Sequence, residues 1–365
     1  MDINKNRGLI MTFAQDDKSV KDYENFGVYF SAYKSVASMV GNISMDEAHK
    51  NARDFLVGEV ERICHKKASD WENNPMAFCN FTDVKEAAFS VISVLTDMIV
   101  PDALLKDLAP IAEFHNAAWG DTLKIEIKPR DIFLPSKIGR AQRLGNIRRQ
   151  FVSEFTIPTY LREVTVGITF YDILTGKYNL AEYVAKASMG IEAQVRYDVW
   201  DAFNTAVSAL DSSGSAKLVY TGYNQDDLVK LSQTITAWNG GSKAVVMGTK
   251  LACSKILPAT TNWRTDLESS YVKEGSLRDF FGTTVIQMEQ IADYRTEFAL
   301  KLDDTKLYVL SPAAQKIMHV GMEGNTLSTV RDSQQSAHLL STGTLMKSWG
   351  VIPASSAIAG IMSLS

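Results

Sequence analysis

The spacing of apolar side chains changes character twice along this chain. From about Lys18 to Asn116 it is helical, with Val20, Tyr23, Phe26, Tyr29, Phe30 and Tyr33 recurring every three or four residues. Ser44 is placed to N-cap a second helix that opens on Met45-Asp46-Glu47 and runs through Ile63. A third helix is predicted from Asp83 to about Met98, with Pro101 just beyond its end. At Trp119-Gly120-Asp121 the period drops to two. Leu123, Ile125 and Ile127 alternate with Lys124, Glu126 and Lys128, which predicts a strand. A second strand pattern runs from Phe151 to Phe170, and Pro158 interrupts its first half.

Helical periodicity then returns over one long stretch. Leu180, Val184, Ala187, Ile191, Val195, Val199, Phe203, Val207 and Leu210 form a single apolar stripe, with Asn179 and Glu182 spaced as a capping box. Such a helix is roughly 45–50 Å long and suits a spine laid against a sheet. Gly190 within it calls for a close packing partner. After Gly214 the units are short. Lys217–Tyr220 reads as a strand, Asn224 caps a helix carrying Leu228, Leu231, Ile235 and Trp238, and Ala244–Met247 reads as a buried strand. A helix through Leu257 follows, then a loop-rich stretch from Ala259 to Arg278 and a strand from Gly282 to Met288. Phe298–Leu302 and Lys306–Leu310 read as a hairpin across Asp303-Asp304, and Ser311-Pro312 as a helix start. The tail from Leu345 to Ser363 is strand-like and apolar.

Between the two strand patterns lies Leu134 to Gln150. It holds Lys137, Arg140, Arg143, Arg148 and Arg149, no acidic residue and few large apolar ones. Such a segment cannot bury enough surface to fold alone, and it reads as the tip of a long hairpin. Either it is an ordinary solvated loop, or its charges meet an acidic surface on a neighbouring copy. Nucleic acid is another acidic partner, but no aromatic residue interleaves the arginines to stack on bases.

Charge changes this picture little. The chain has 365 residues and a net charge of −4, so it is not electropositive as a whole and any nucleic-acid contact is local. Hydrophobic residues make up 45% and charged residues 22%, which fits a folded, soluble chain of two or three domains. Cys64, Cys79 and Cys253 are odd in number and lack C-x-x-C spacing, so free thiols are expected in place of a disulfide framework or a zinc site. No secretory signal is expected at the polar start, and the apolar run from Ala87 to Val100 is too short to span a bilayer.

Catalytic chemistry is not apparent. Gly240 to Lys250 lacks the order and spacing of a phosphate loop, and there is no nucleophile elbow, zincin motif or dinucleotide fingerprint. The histidines His49, His65, His115, His319 and His338 are scattered. Asp226-Asp227 sits where a helix dipole favours acids and Asp303-Asp304 where a turn does. The expectation is a protein without enzymatic activity, cofactor or metal, whose function lies in its surfaces.

Four stretches in order carry a family resemblance: Trp119–Pro129, Ser153–Gly176, Asn179–Leu210 and Leu307–Pro312. From Trp119 onward the chain resembles the major capsid proteins of tailed bacteriophages, with the Hong Kong 97-like fold. The resemblance implies an α+β fold with an extended β-hairpin loop, a long spine helix, and peripheral and axial domains. The division it implies is an N-terminal helical region or arm over 1–118, the extended loop with its strands over 119–171, the spine helix of the peripheral domain over 172–213, a mixed α/β axial domain over 214–281, and return strands completing both domains over 282–365. It implies a subunit that forms pentamers and hexamers and tiles an icosahedral head around double-stranded DNA, touching that DNA weakly and non-specifically. Portal, scaffold and head-completion or decoration proteins would be its partners, and the virion, assembled in the host cytoplasm, its location. Lys137, Arg140, Arg143, Arg148 and Arg149 would grip an adjacent subunit, while Val184, Ile191, Val195, Val199 and Phe203 would pack the spine. The apolar N-terminal region reads as retained and packed, not as a clipped scaffold. An encapsulin-like compartment shares this fold and stays open as an alternative, and less readily an α/β enzyme or a nucleic-acid binder.

Overall fold

In the computed structural model, the structure describes residues 17–34, 37–67, 69, 81–127, 129, 132–133, 149–168, 180–212, 218–256, 277–293, 296–312, 315–331 and 341–364. Helix α1 (Asp17–Lys34) leads through the short strands β1 (Met39–Val40) and β2 (Ile43–Ser44) into α2 (Met45–Cys64). The Ser44 side chain accepts the Glu47 N–H at 3.3 Å, so the predicted cap is in place. Helix α3 (Thr82–Leu108) completes this layer. Tyr23, Phe26, Tyr29 and Phe30 of α1 pack with Leu56 of α2 and with Leu95 and Met98 of α3. The same cluster reaches Ala187 and Leu345, so the N-terminal layer shares its core with later elements.

Two sheets follow. Strands β3 (Ala112–Ala117), β4 (Lys124–Ile127), β5 (Ser153–Thr156) and β6 (Tyr160–Ile168) precede α4 (Leu180–Ser212). Next come β7 (Val219–Thr221), α5 (Gln225–Trp238), β8 (Val245–Thr249), α6 (Lys250–Ser254), β9 (Asp279–Phe280), β10 (Thr283–Met288), β11 (Ala292–Asp293), β12 (Ala299–Leu300) and β13 (Lys306–Leu310). Strands β14 (Met318–Arg331), β15 (Ser341–Pro353) and β16 (Gly360–Ser363) close the chain. One sheet has the order β3-β14-β15-β6 and the other β7-β16-β13-β8-β10-β9.

The long helix α4 joins the two sheets. Its Ile191, Val195, Val199, Trp200 and Phe203 pack in one cluster with Met318, Val320, Met322 and Trp349 of the first sheet. Met247, Tyr308, Leu310 and Ile361 of the second sheet belong to the same cluster. Each such side chain contributes about 1.5–3 kcal/mol on burial, so the stripe ties the two sheets together through a shared core. Trp349 Nε1 donates to Asp198 at 2.8 Å and the Tyr308 hydroxyl to Asn204 at 3.1 Å, which fixes the helix against both sheets. Helices α5 and α6 cover the second sheet through Leu228, Leu231, Ile235, Ala252 and Cys253.

The α+β class agrees with the sequence reading, and five local expectations do not. Gly190 is exposed on α4 and an added Cβ would meet nothing within 4 Å, so no close packing partner accounts for it. Helix α3 continues through Pro101 to Leu108. Burial of Val100, Leu104 and Leu108 at i, i+4 spacing outweighs the roughly 3 kcal/mol that an internal proline costs. Residues 112–117 are strand, not helix, because they pair in parallel with β14 from Met318 to Glu323. Phe298–Leu302 does not form a hairpin with Lys306–Leu310. Strand β12 pairs back onto β11, and the Gln290 side-chain amide engages both backbone groups of Leu302 (3.1 and 3.2 Å) as a strand partner would. Among the described residues no helix starts at Ser311-Pro312. The Ser311 hydroxyl donates to the carbonyls of Ser242 and Lys243 (3.2 and 3.1 Å), so it is turned away from a capping role and the chain proceeds to β14. Asn179 and the loop-rich stretch from Ala259 to Ser276 lie outside the described residues.

Candidate functional site

The two strands that flank the basic segment form one antiparallel pair. Lys124 lies opposite Thr156, Ile125 opposite Phe155, Glu126 opposite Glu154 and Ile127 opposite Ser153. Period two sends Ile125 and Ile127 inward, where they meet Ile157 and Ala354. On the outer face Lys124 and Glu154 are 2.8 Å apart, which offsets the like-charged pair of Glu126 and Glu154. The hydrogen bond and charge of Glu154 raise the Lys124 pKa, so its ammonium is retained.

Both legs of this hairpin are tied to the four-stranded sheet at one carboxylate. Glu323 on β14 accepts the Gly120 N–H at 2.8 Å, the Thr159 hydroxyl at 2.8 Å and the Ser348 hydroxyl at 2.9 Å. Gly120 precedes β4 and Thr159 precedes β6, so one side chain holds the entering and the leaving leg. The Gly120 N–H, then Thr159 and Ser348, hold the Glu323 carboxyl below its ordinary pKa.

The floor under the legs is glycine. Gly350 and Gly321 are cross-strand partners. A Cβ at Gly350 would collide with the Pro158 carbonyl, so no larger residue lets the leg pass this close. Gly324 has φ of +58° beside the register shift in β14, and the Trp119 indole occupies the space its side chain would take. The bulge is clamped from beneath by a buried ion pair. Asp97 of α3 accepts from Lys347 Nζ at 2.5 Å, the Thr326 N–H at 2.7 Å and the Thr326 hydroxyl at 2.6 Å.

Around the hairpin, exposed apolar side chains are interspersed with polar and charged ones. Ile132, Phe133, Phe151, Val152, Phe155, Tyr160 and Leu161 are all exposed, Phe151 to 76% and Tyr160 to 63%. Large apolar side chains exposed in this number near one element are of the kind that a protein contact covers. Of the predicted loop residues, Arg149 is exposed at this edge, while Lys137, Arg140, Arg143 and Arg148 lie outside the described residues. Of the predicted spine residues, Ile191, Val195, Val199 and Phe203 are buried. Val184 lies in α4, with its side chain outside the described set.

A second grouping was invisible in the sequence. His115 on β3 and His319 on β14 are 204 positions apart, yet His115 Nε2 and His319 Nδ1 are 3.0 Å apart, with the Glu113 carboxylate 3.8 Å from His319. Burial, then the neighbouring His115, lowers the His319 pKa against the pull of Glu113 and the Ala354 backbone. Only the parallel pairing of β3 with β14 creates this cluster, and no spacing rule in the sequence signals that pairing. Cys64 and Cys253 are free thiols, and burial raises the Cys253 pKa to about 11, which leaves it inert as a nucleophile. Among the described residues no helix is long and apolar enough to cross a membrane.

No family model and no curated protein matches the chain. Solved structures that are similar in part include the asymmetric unit of the bacteriophage PhiM1 mature capsid, which is 9% identical, covers 70% of this chain and 85% of its own, and has a TM-score of 0.45. A structure from Mycobacterium phage Bobi is 12% identical over 71% of this chain and 89% of its own, with a TM-score of 0.46. A virus-like particle from Pyrococcus furiosus is 10% identical over 73% and 97%, with a TM-score of 0.40.

Proposed function

We propose that this chain is the shell subunit of a virion: copies pack as pentamers and hexamers into an icosahedral head that encloses double-stranded DNA. One observation carries the reading. A hairpin fixed to the sheet at both legs, with Phe151 exposed beside it and Tyr160 exposed where the leaving leg enters β6, is suited to contact with a neighbouring copy. A catalytic loop would instead converge on a pocket. In this reading α4 and the four-stranded sheet form the peripheral domain and the six-stranded sheet with α5 and α6 the axial one. The basic residues from Lys137 to Arg149 lap over an acidic surface of the neighbour, and contact with DNA is weak and non-specific. Portal, scaffold and decoration proteins complete the head, which assembles in the host cytoplasm.

The test reverses charge in the segment that the hairpin carries. Arg143→Glu, Arg148→Glu and Arg149→Glu together should block shell closure and leave the circular dichroism and melting of the subunit unchanged. Normal shells from the triple variant would contradict the role given to these residues. Steep, salt-dependent loss of DNA affinity in the same variant would move the segment to nucleic-acid binding.

A further inference from the structure

The parallel strands β3 and β14 place three metal-ligating side chains on one face of the sheet. His319 is directly beside Glu113 in register, and His115 follows Glu113 by two positions on the same strand. Glu113 offers a carboxylate oxygen, His115 its Nε2 and His319 its Nδ1, all within 4.8 Å of one another. His319 is 1% exposed, His115 half-buried and Glu113 open to solvent, so the group is held from below and reachable from above.

A histidine pair 3.0 Å apart has two explanations. One ring can donate a single proton to the other, or a cation can replace that proton and take both lone pairs. Zinc binds imidazole nitrogen at about 2.0–2.1 Å, so two nitrogens on one tetrahedral ion are roughly 3.3 Å apart. Small ring rotations therefore take the observed pair to a ligating one. The exposed Glu113 side chain can close the third corner by a rotamer change. Lys316, whose charge acts on Glu113, has its ammonium held at the Pro312 carbonyl at 2.9 Å. Two imidazoles and one carboxylate suit zinc and its borderline-soft neighbours, whereas calcium and magnesium prefer oxygen alone.

We propose that Glu113, His115 and His319 form a binding site for a zinc-class divalent transition ion that staples the edge strand β3 to β14. Water or an incoming donor fills the fourth position. Because β3 leads directly to the Trp119-Gly120 leg of the hairpin, the ion stiffens the root of that leg. Sequence reading missed this site because its expectation of zinc rested on cysteine spacing.

The experiment is a zinc titration of the full chain after stripping with a chelator, read by competition with a chromophoric chelator and repeated with cobalt for its visible absorption. One equivalent per chain is expected, with a rise of a few degrees in Tm at a hundredfold excess over Kd. His115→Ala should weaken that equivalent by more than about 100-fold, beyond what loss of an outer-sphere partner does, and Glu113→Gln should weaken it measurably. His65→Ala, at the far end of α2, should change nothing. Buried His319 is left intact, so the variants fold and the readout stays interpretable. No stoichiometric uptake, or uptake unchanged in His115→Ala, would overturn the proposal and leave the pair as a neutral hydrogen bond.

Discussion

Glu323 is the residue on which the hairpin's geometry turns, since three donors from two legs and a neighbouring strand converge on its carboxylate. Its folded pKa is lowered, so its contribution is fully present above the ordinary glutamate value of about 4.3 and is lost as pH falls through the lower folded value. The protection factors of the β4 amides, taken relative to the intrinsic exchange rate at each pH, should therefore fall below that window. Glu323→Gln should show lower protection at neutral pH and little further loss on acidification. Identical pH profiles for the two proteins would refute the anchoring role. Asp97 poses a different case, because its partner Lys347 is 8% exposed and has nowhere to find water. Asp97→Ala should cost about 3–5 kcal/mol in urea denaturation, because it leaves the Lys347 charge and both Thr326 donors buried without their acceptor. A loss below about 1 kcal/mol for the single variant would show that the clamp is dispensable. None of these polar contacts was legible in the sequence. Asp97 lies within the apolar run from Ala87 to Val100, and its partners Thr326 and Lys347 lie more than 200 positions away.

At the scale of elements, the long helix was the most legible part of the chain and the β14 strand among the least. A stripe from Leu180 to Leu210 needs only local periodicity to be seen. Strand β14 carries Gly321, Gly324 and Asn325 inside it, residues that ordinarily break strands, and each glycine has a tertiary reason in the leg that crosses it. Strand β3 was absorbed into the helical region before it because only its parallel partner makes it a strand. Pro101 misled in the opposite direction, as burial beyond it sustains the helix. Within α4 the prediction is sharp. Val195 is 1% exposed in the cluster that joins both sheets, so Val195→Asp places an unpartnered charge there. It should cost more than about 4 kcal/mol and lower Tm markedly, and an unchanged melting temperature would refute the spine as the link between sheets.

For the whole molecule, the order of elements mattered more than any motif. A paired strand, a basic excursion, a return strand, a long helix and then a second sheet can be read off spacing alone. How the strands interleave cannot, because β14 and β15 enter one sheet while β13 and β16 enter the other. That interleaving places the hairpin root on a rigid floor and leaves its apolar flank uncovered by its own chain among the described residues. The proposed shell role requires assembly, which microscopy can see directly. Electron microscopy of the purified full chain, over a concentration series with and without a crowding agent, is the measurement to make. Closed icosahedral shells or rings of five and six subunits are the predicted result, and particle size would separate a virion head from a cargo compartment. A uniform monomer at every concentration, and again when the chain is co-expressed with its neighbouring head-assembly proteins, would contradict the account.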